Sequence, residues 1–483
     1  MDALIKVNIT RHTLPFNFPA GTSRGVLLNK KLWLITLTSE GKEGIGECSI
    51  IEGLSPEFTT DASYEKSLKE IVLKIQNSQM RIVDLFRNID DLLPELVFMP
   101  SIRFGLETAF RSWLVNGSSI LFDNAFTRGE RNIPINGLIW MGTPEQMSQE
   151  IEQKIKQGFR VLKFKIAALP WEQEKALLHS VRKRFPASQL EIRVDANGGL
   201  SMESWASVFS DLESLEVHSI EQPLPASNRA GLAYWSQHSP VPVALDESLV
   251  GLVTPEQRND LLDEVRPPYV VLKPSFVGGW RGTQDWIDRA EARGMGWWIT
   301  SALEGSIGLN AVAQDVARRA PLARAQGLGT GGLYTNNLPP WTALRGEQLH
   351  YIAPYPAEVG SGPWSENLRI HPQTDPQLIQ ETQALMRAWY GPSDVLEFTT
   401  SGSTGTPKTI HLSKKLLVAS ARATLDTLNL APGYTSLLAL SPTRIGGAMV
   451  LIRALLGQGI VDLASVQRNP LEGWDAPSTP WDF

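Results

Sequence analysis

The sequence predicts an α/β protein built on a (β/α)7β TIM-like barrel with an α+β capping domain before it, and three observations support this. From about residue 132, short runs rich in β-branched and aromatic residues alternate with amphipathic segments of helical period. Charged residues end successive runs at near-constant spacing: 30 residues from Lys165 to Asp195, then 26, 25 and 27 to Glu221, Asp246 and Lys273. A (β/α)8 barrel of about 250 residues repeats every 31 residues or so, so residues ending each unit fall on one rim, the rim where such barrels do chemistry. Third, residues 1–125 lack this alternation.

In chain order, Leu4–Arg11, Gly25–Leu37 and Gly44–Ile50 read as strands, and Tyr64–Gln76 and Ser101–Val115 as helices, which makes 1–125 the capping unit. Residues 126–332 carry eight candidate barrel strands: Ile133–Leu138, Val161–Ile166, Leu190–Asp195, Val217–Gln222, Val241–Asp246, Tyr269–Lys273, Trp297–Ser301 and Ala325–Leu328. Between them lie helical segments such as Pro144–Gln157, Trp171–Phe185 and Ser201–Leu215, with apolar residues three and four apart. Strict alternation calls for a parallel sheet with right-handed crossovers. Residues 333–372, rich in Pro, Trp and Tyr, are expected to return to the capping unit, 373–389 to form a linker helix around Pro376–Trp389, and 390–483 to form a third domain.

Bulk composition narrows the function by exclusion. The 483 residues are 42% hydrophobic and 20% charged with a net charge of −6, and Lys and Arg form no long run, so neither nucleic acid nor an anionic membrane is an expected partner. Ala448–Ile460, the most apolar stretch of the tail, is too short to span a bilayer. The single Cys48 cannot form an intrachain disulfide or a thiolate metal cluster, and residues 1–20 lack the apolar core of a signal peptide. A cytoplasmic protein is expected, with Cys48 a small buried residue.

The charged strand ends suggest metal chemistry. Asp195, Glu221 and Asp246 come from three neighbouring strands with no Cys or His among them, a hard oxygen-donor set suited to Mg²⁺. Lys165 lies one strand before the set and Lys273 one strand after, so the two flank it. A lysine beside a divalent cation and another lysine is expected to have its pKa lowered toward the range of a general base. Lys163 and Lys165 are two apart and share a face, as do Arg193 and Asp195. Inward charges of this kind are costly in a barrel unless paired or at the rim.

Lys163-Phe164-Lys165, Arg193-Val194-Asp195-Ala196-Asn197, Glu221-Gln222-Pro223-Leu224, Asp246-Glu247-Ser248 and Val271-Leu272-Lys273-Pro274-Ser275 resemble, as an ordered set, the motifs of the enolase superfamily, muconate-lactonising subgroup. Gly44–Ser49 and Gly53-Leu54-Ser55 resemble loops of that family's capping domain, so the likeness runs from residue 1 to about 350. Within the subgroup the chain resembles o-succinylbenzoate synthases. That resemblance implies Mg²⁺, with Mn²⁺ as a substitute, on Asp195, Glu221 and Asp246. It also implies that Lys165 moves the proton, Lys273 stabilises an enediolate and Lys163 orients Lys165. The implied reaction is dehydration of 2-succinyl-6-hydroxy-2,4-cyclohexadiene-1-carboxylate, a small carboxylate, on the route to menaquinone. Ser301 and Gly329 resemble substrate-holding positions, and Gly21-Thr22-Ser23-Arg24 resembles a mobile capping loop that brings Arg24 to the succinyl carboxylate. N-succinylamino acid racemases share the metal and lysine set. Dipeptide epimerases carry an Asp-x-Asp after the eighth strand, where this chain has Gly327-Leu328-Gly329-Thr330.

Near the end, Ser401-Gly402-Ser403-Thr404-Gly405, followed by Lys408, is a small-residue loop of a kind that cradles phosphate. Pro407 before Lys408 excludes the Walker pattern. The loop, with Ser441–Gly447 and Leu455–Gly459, resembles a fragment of the adenylate-forming acyl-CoA ligases, which implies association with a downstream ligase. Only residues 409–483 follow Lys408, too few for the adenine and acyl pockets, so the tail is expected to be an inactive start of a fused ligase whose remainder is absent.

Overall fold

The computed structural model describes residues 5–22, 25–319, 322, 324–338, 340–351, 368–370, 374–390, 395–399, 408–430, 433–457 and 459–465. The chain forms two compact units, residues 1–334 with 340–351, and residues 335–339 with 352–483.

The first unit opens with an antiparallel meander of β1 (Lys6–Thr22), β2 (Gly25–Ser39) and β3 (Lys42–Ser49). Between β2 and β3, Glu40 and Gly41 both have positive φ (53° and 72°), the tight two-residue turn whose twist matches the strands it joins. β1 is longer than the sequence suggests because its register slips between Pro15 and Ala20 and pairing then resumes with β2. Helices Asp61–Asn77 and Pro100–Leu114 cover the sheet, close to the expected bounds.

The second of these helices approaches β3 at backbone distance. A Cβ on Gly46 would strike the Gly105 carbonyl oxygen and one on Gly105 would strike the Cys48 sulfur, so glycine on both faces permits the contact and seals Cys48 inside. Gly46→Ala is expected to cost about 3 kcal/mol or to prevent folding, because the clash is with backbone that cannot swing away. A urea melt that moved by less than a quarter of that would count against this packing.

The barrel strands are β5 (Gly137–Ile139), β6 (Val161–Lys165), β7 (Glu191–Asp195), β8 (Ser219–Glu221), β9 (Val243–Leu245), β10 (Tyr269–Leu272) and β11 (Gly296–Ile299), one parallel seven-stranded sheet in sequence order. The intervening helices bury one face each. Two begin with a full capping box, Thr143 with Gln146 and Thr254 with Gln257, each behind a proline at the first helical position.

Two expectations change at the seam. The run Ile133–Leu138 divides: β4 (Ile133–Pro134) pairs with a later hairpin while Gly137 onward enters the barrel. The eighth run, Ala325–Leu328, forms no ladder of its own. Gln326 bridges Ile135 and Gly327 bridges Thr300, both parallel, and so join the two edges of the sheet. The reason is local: Gln326 spends its amide on the Ile299 N–H and the Arg324 carbonyl, and a Cβ on Gly327 would collide with Thr300.

The segment expected to return to the cap is split. Phe16 bridges Tyr334 on β1, but β12 (Thr342–Arg345) and β13 (Gln348–Tyr351) form a hairpin against β4, and β14 (Leu368–Ile370) belongs to the second unit. There β14, β18 (Ile460–Leu463) and β17 (Thr435–Leu438) make a parallel sheet, and β15 (Val395–Thr399) pairs antiparallel with β16 (Thr409–Ser413). Helix Pro376–Tyr390, read from the sequence as a linker, places Leu378, Leu385, Met386 and Trp389 in this unit's own core. No described helix is long and apolar enough to cross a membrane.

Candidate active site

Parallel pairing in register puts Lys165, Asp195 and Glu221 side by side across β6, β7 and β8, with Lys163 and Arg193 paired one layer deeper. Asp246 and Lys273 follow the last residues of β9 and β10, at the same C-terminal ends. Five sequence-predicted residues therefore meet on one rim, with Lys163 beneath them.

Their polar contacts form a chain of alternating charge. Lys163 Nζ donates to Glu221 Oε1 at 2.6 Å and lies 2.8 Å from Asp195 Oδ2. The same Asp195 oxygen accepts from Lys165 Nζ at 2.6 Å, and Lys273 Nζ donates to Asp246 Oδ2. Exposure divides the roles: the carboxylates are at most 3% exposed, whereas Lys165 and Lys273 retain 18% and 13%. The two outer lysines reach the mouth and the acids lie beneath them.

Burial favours neutral acids, but in Asp195 it is outweighed by Lys163 and Lys165, which hold the carboxyl well below its usual range. Glu221 goes the other way. Burial, then repulsion from Asp195, outweighs the help of Lys163, and with Asp246 adding to the repulsion Glu221 is pushed up to about 8. Burial pulls Lys273 down, yet Asp246, Glu247 and Glu221 raise it overall. In Lys163 too, Asp195 and Glu221 more than offset burial. The acids and ammoniums of the row are paired with one another.

Among the described residues no three His, Cys, Asp or Glu side chains are gathered into a ready-made cation cage, because ammonium groups stand between the acids. The donor chemistry nevertheless suits a hard divalent cation: three carboxylates on adjacent strands, one of them kept from ionising in part by its acidic neighbours.

The loops that carry these groups are held in unusual conformations. Ala167, Asn197, Gln222 and Leu303 have φ of 66°, 44°, 38° and 61°, each within a few residues of a barrel-strand end. Non-glycine residues in this region are strained and persist where the surroundings over-determine them. The surroundings do so here. Glu174 accepts from the amides of Ala167, Ala168 and Leu169, and Gln222 accepts from the amides of Asp246 and Ser248.

Several of these residues escape sequence reasoning. Asn197 accepts from Lys165 at 2.8 Å and donates to Glu247 at 3.0 Å, linking the ends of β6, β7 and β9. Asn197, Gln222 and Glu247 stand beside the acids in the quoted motifs, and that adjacency was the available signal. Glu304 has another, the Ser-x-x-Glu pattern of Ser301–Glu304.

Of the expected substrate contacts, Ser301 is engaged by Glu304 and Thr330, and Gly329 lies against Ile135 and Asn136. Arg24 lies outside the described residues, as do Ser401, Gly402, Ser403, Thr404 and Gly405 of the small-residue loop, while Lys408 is described just before β16.

Comparison with known proteins agrees with this geometry. Residues 146–330 match the enolase C-terminal domain-like family. An o-succinylbenzoate synthase from Desulfotalea psychrophila is 40% identical over 365 residues, which cover 71% of this chain and 98% of that protein. The crystal structure of MenC from the same organism superposes with a TM-score of 0.64 at 36% identity, covering 72% of this chain and 99% of that one. An N-succinylamino acid racemase from Thermus thermophilus is 28% identical over 302 residues, 61% of this chain and 77% of that protein. With its acids and lysines on the ends of consecutive parallel strands, and a 40% identical relative matched over nearly its whole length, the chain belongs to the enolase superfamily.

Proposed function

We propose that the first unit is an o-succinylbenzoate synthase, which eliminates water from 2-succinyl-6-hydroxy-2,4-cyclohexadiene-1-carboxylate to give 2-succinylbenzoate for menaquinone synthesis. The observation that carries this reading is the pair of partly exposed lysines, Lys165 and Lys273, flanking three buried carboxylates. The likeness to the Desulfotalea synthase supports the choice of reaction.

Asp195, Glu221 and Asp246 would hold Mg²⁺, with Mn²⁺ as a substitute. When bound, the cation supplies Lewis-acid charge to the substrate carboxylate and so acidifies the adjacent carbon. Lys165, as the free amine, takes that proton at Nζ. The same ammonium returns it to the departing hydroxyl, which leaves as water, so the base is regenerated and one face of the ring is used. Lys273 stays an ammonium, the form its acidic neighbours favour, and stabilises the charge that develops. Lys163, tied to Asp195 and Glu221, orients the row on which Lys165 leans. Ser301, Gly329 and Arg24 would hold the substrate.

Because Glu221 retains its proton up to about 8, cation binding must displace it. Apparent Mg²⁺ affinity is therefore expected to rise with pH up to about 8 and then level off. Calorimetric titration across that range checks this; an affinity that fell on going from pH 6 to 8 would contradict it.

A second reading, racemisation of N-succinyl amino acids, is favoured by the likeness to the Thermus racemase and by lysines on both sides of the site. Incubation in heavy water separates the two. Formation of 2-succinylbenzoate from the diene supports the synthase, and deuterium entering the α-carbon of an N-succinyl amino acid without diene turnover supports the racemase. We also propose that residues 390–483 derive from an adenylate-forming ligase. The support is the run from Ser401 to Lys408 together with Ser441–Gly447, and association with a ligase that consumes the product would follow.

A further inference from the structure

Outside the row of acids and lysines, one neutral side chain bonds to the residue that would move the proton. Asn197 is half-buried in the turn after β7, two residues past Asp195. Its Oδ1 accepts from Lys165 Nζ at 2.8 Å, and its Nδ2 donates to Glu247 Oε1 at 3.0 Å. Its backbone N–H donates to Asp195 Oδ1 at 3.0 Å, leaving Oδ2 to Lys163 and Lys165. The turn is left-handed at Asn197 (φ 44°) and Gly198 (φ 75°). Bonds from the Ala196 amide to the Glu221 carbonyl (3.0 Å) and from the Gly198 amide to the Gln222 carbonyl (2.6 Å) pin it on both sides. Asparagine is among the non-glycine residues that accept such a φ most readily.

The two ends of the Asn197 amide are not interchangeable. Glu247 offers an oxygen to its N–H and Lys165 offers an N–H to its oxygen, so turning the amide over would set acceptor against acceptor and donor against donor. Lys165 therefore meets two fixed acceptors, Asp195 Oδ2 at 2.6 Å and Asn197 Oδ1 at 2.8 Å. A free amine has two N–H groups and one lone pair in a tetrahedral arrangement. With both N–H groups engaged, the lone pair keeps the one direction that remains, and a proton gained there points the same way. Abstraction and return then require no rotation about the Cε–Nζ bond. With a single acceptor, the lone pair would sweep around that one hydrogen bond.

We propose that Asn197 is a positioning residue that aims the Lys165 amine, with Glu247 fixing which end of the amide faces it. The proposal rests on Lys165 being the base of the proposed synthase. Asp195 does not supply this aim alone, because its Oδ2 is shared with Lys163 and the carboxylate is also assigned to the cation.

The test is Asn197→Gly in the full chain at saturating Mg²⁺. Glycine adopts a positive φ without strain and keeps the backbone N–H on Asp195, so only the amide side chain is lost. Misplacing a reacting group costs up to about 10²-fold, and kcat for the diene is expected to fall about thirtyfold. KM and the Kd values of 2-succinylbenzoate and Mg²⁺ are expected to stay within about twofold, because no ground-state contact is removed. In the Lys165→Ala background the substitution should have no further effect, since it acts through that amine. A kcat within about threefold of the unaltered chain overturns the proposal. So does a loss carried by KM and the 2-succinylbenzoate Kd, which makes Asn197 a substrate contact. A loss of Mg²⁺ affinity, or a loss repeated in the Lys165→Ala background, overturns it as well.

A second measurement is independent of turnover: side-chain relaxation of lysine labelled with ¹³C at Cε, the Lys165 signal being the one missing from Lys165→Ala. A Lys165 held in the unaltered chain and released in Asn197→Gly supports the proposal, and equal mobility in the two overturns it. If Asn197→Gly does not fold, the unaltered chain decides: a Lys165 as mobile as the exposed Lys66 overturns the proposal, and a held one supports it. A held and released Lys165 without diene turnover by the unaltered chain removes the synthase reaction and leaves the role of Asn197 intact. Turnover that does not respond to Asn197→Gly removes that role and leaves the reaction.

Discussion

Lys165→Ala is expected to lower kcat for the diene by about 10³-fold or more while the protein stays folded. General acid–base groups contribute about 10²–10⁴-fold, and here one group serves both halves of the elimination, so its loss removes proton abstraction and proton return together. Lys165 is also the most exposed of the three lysines of the site, so truncating it leaves a smaller buried vacancy than Lys163→Ala would. Asp195 keeps Lys163 at 2.8 Å when Lys165 is gone and is not left as an unpaired buried charge. Stopped-flow absorbance of the diene, together with a thermal melt, measures both quantities. Activity within tenfold of the unaltered enzyme would remove Lys165 from the reaction.

The second large effect is expected at Asp195. This side chain is fully buried and accepts from Lys163, Lys165 and the Asn197 amide, the last at 3.0 Å. Asp195→Asn keeps the volume but cancels the one negative charge that both Lys163 and Lys165 face. Two ammonium groups then share a neutral partner, and a cation would meet one fewer anionic donor. Mg²⁺ affinity is expected to fall by about two orders of magnitude. Breaking buried ion pairs from one side commonly costs about 3–5 kcal/mol, so the melting temperature should fall as well. Calorimetry with Mg²⁺ and a denaturant melt of the metal-free protein separate the two losses. Unchanged Mg²⁺ affinity would take Asp195 out of the ligand set.

Regular spacing made the charged row legible in the sequence. A parallel sheet repeats one strand–helix unit, so Lys165, Asp195 and Glu221 recur at near-equal intervals, and their Cα atoms pair in register. Gln222 and Glu304 were signalled only by their places beside motif residues, and their contacts were not legible because the partners come from several elements: Glu304 collects donors from two turns, and Gln222 braces the turn after β9. The same holds for Lys30 and Glu47, which lie on the cap but act on residues some 260 to 270 positions later. The eighth barrel strand was misjudged for the opposite reason. Ala325–Leu328 does lie between the two edges of the sheet, but Gln326 and Gly327 make single bridges to them and no ladder. At the cap, Gly44 and Gly46 read only as a motif, and the helix pressed against them gives that motif its physical reason. The linker reading of Pro376–Trp389 rested on its position between two dissimilar regions, whereas its apolar face packs inside the second unit.

The most direct measurement follows the diene absorbance of 2-succinyl-6-hydroxy-2,4-cyclohexadiene-1-carboxylate mixed with the full chain, with Mg²⁺ and again after chelation. The rim of acids and flanking lysines predicts rapid loss of absorbance with one equivalent of 2-succinylbenzoate formed, abolished by the chelator. Absorbance that decayed no faster than without protein, or equally fast after chelation, would contradict a cation-dependent elimination at this rim.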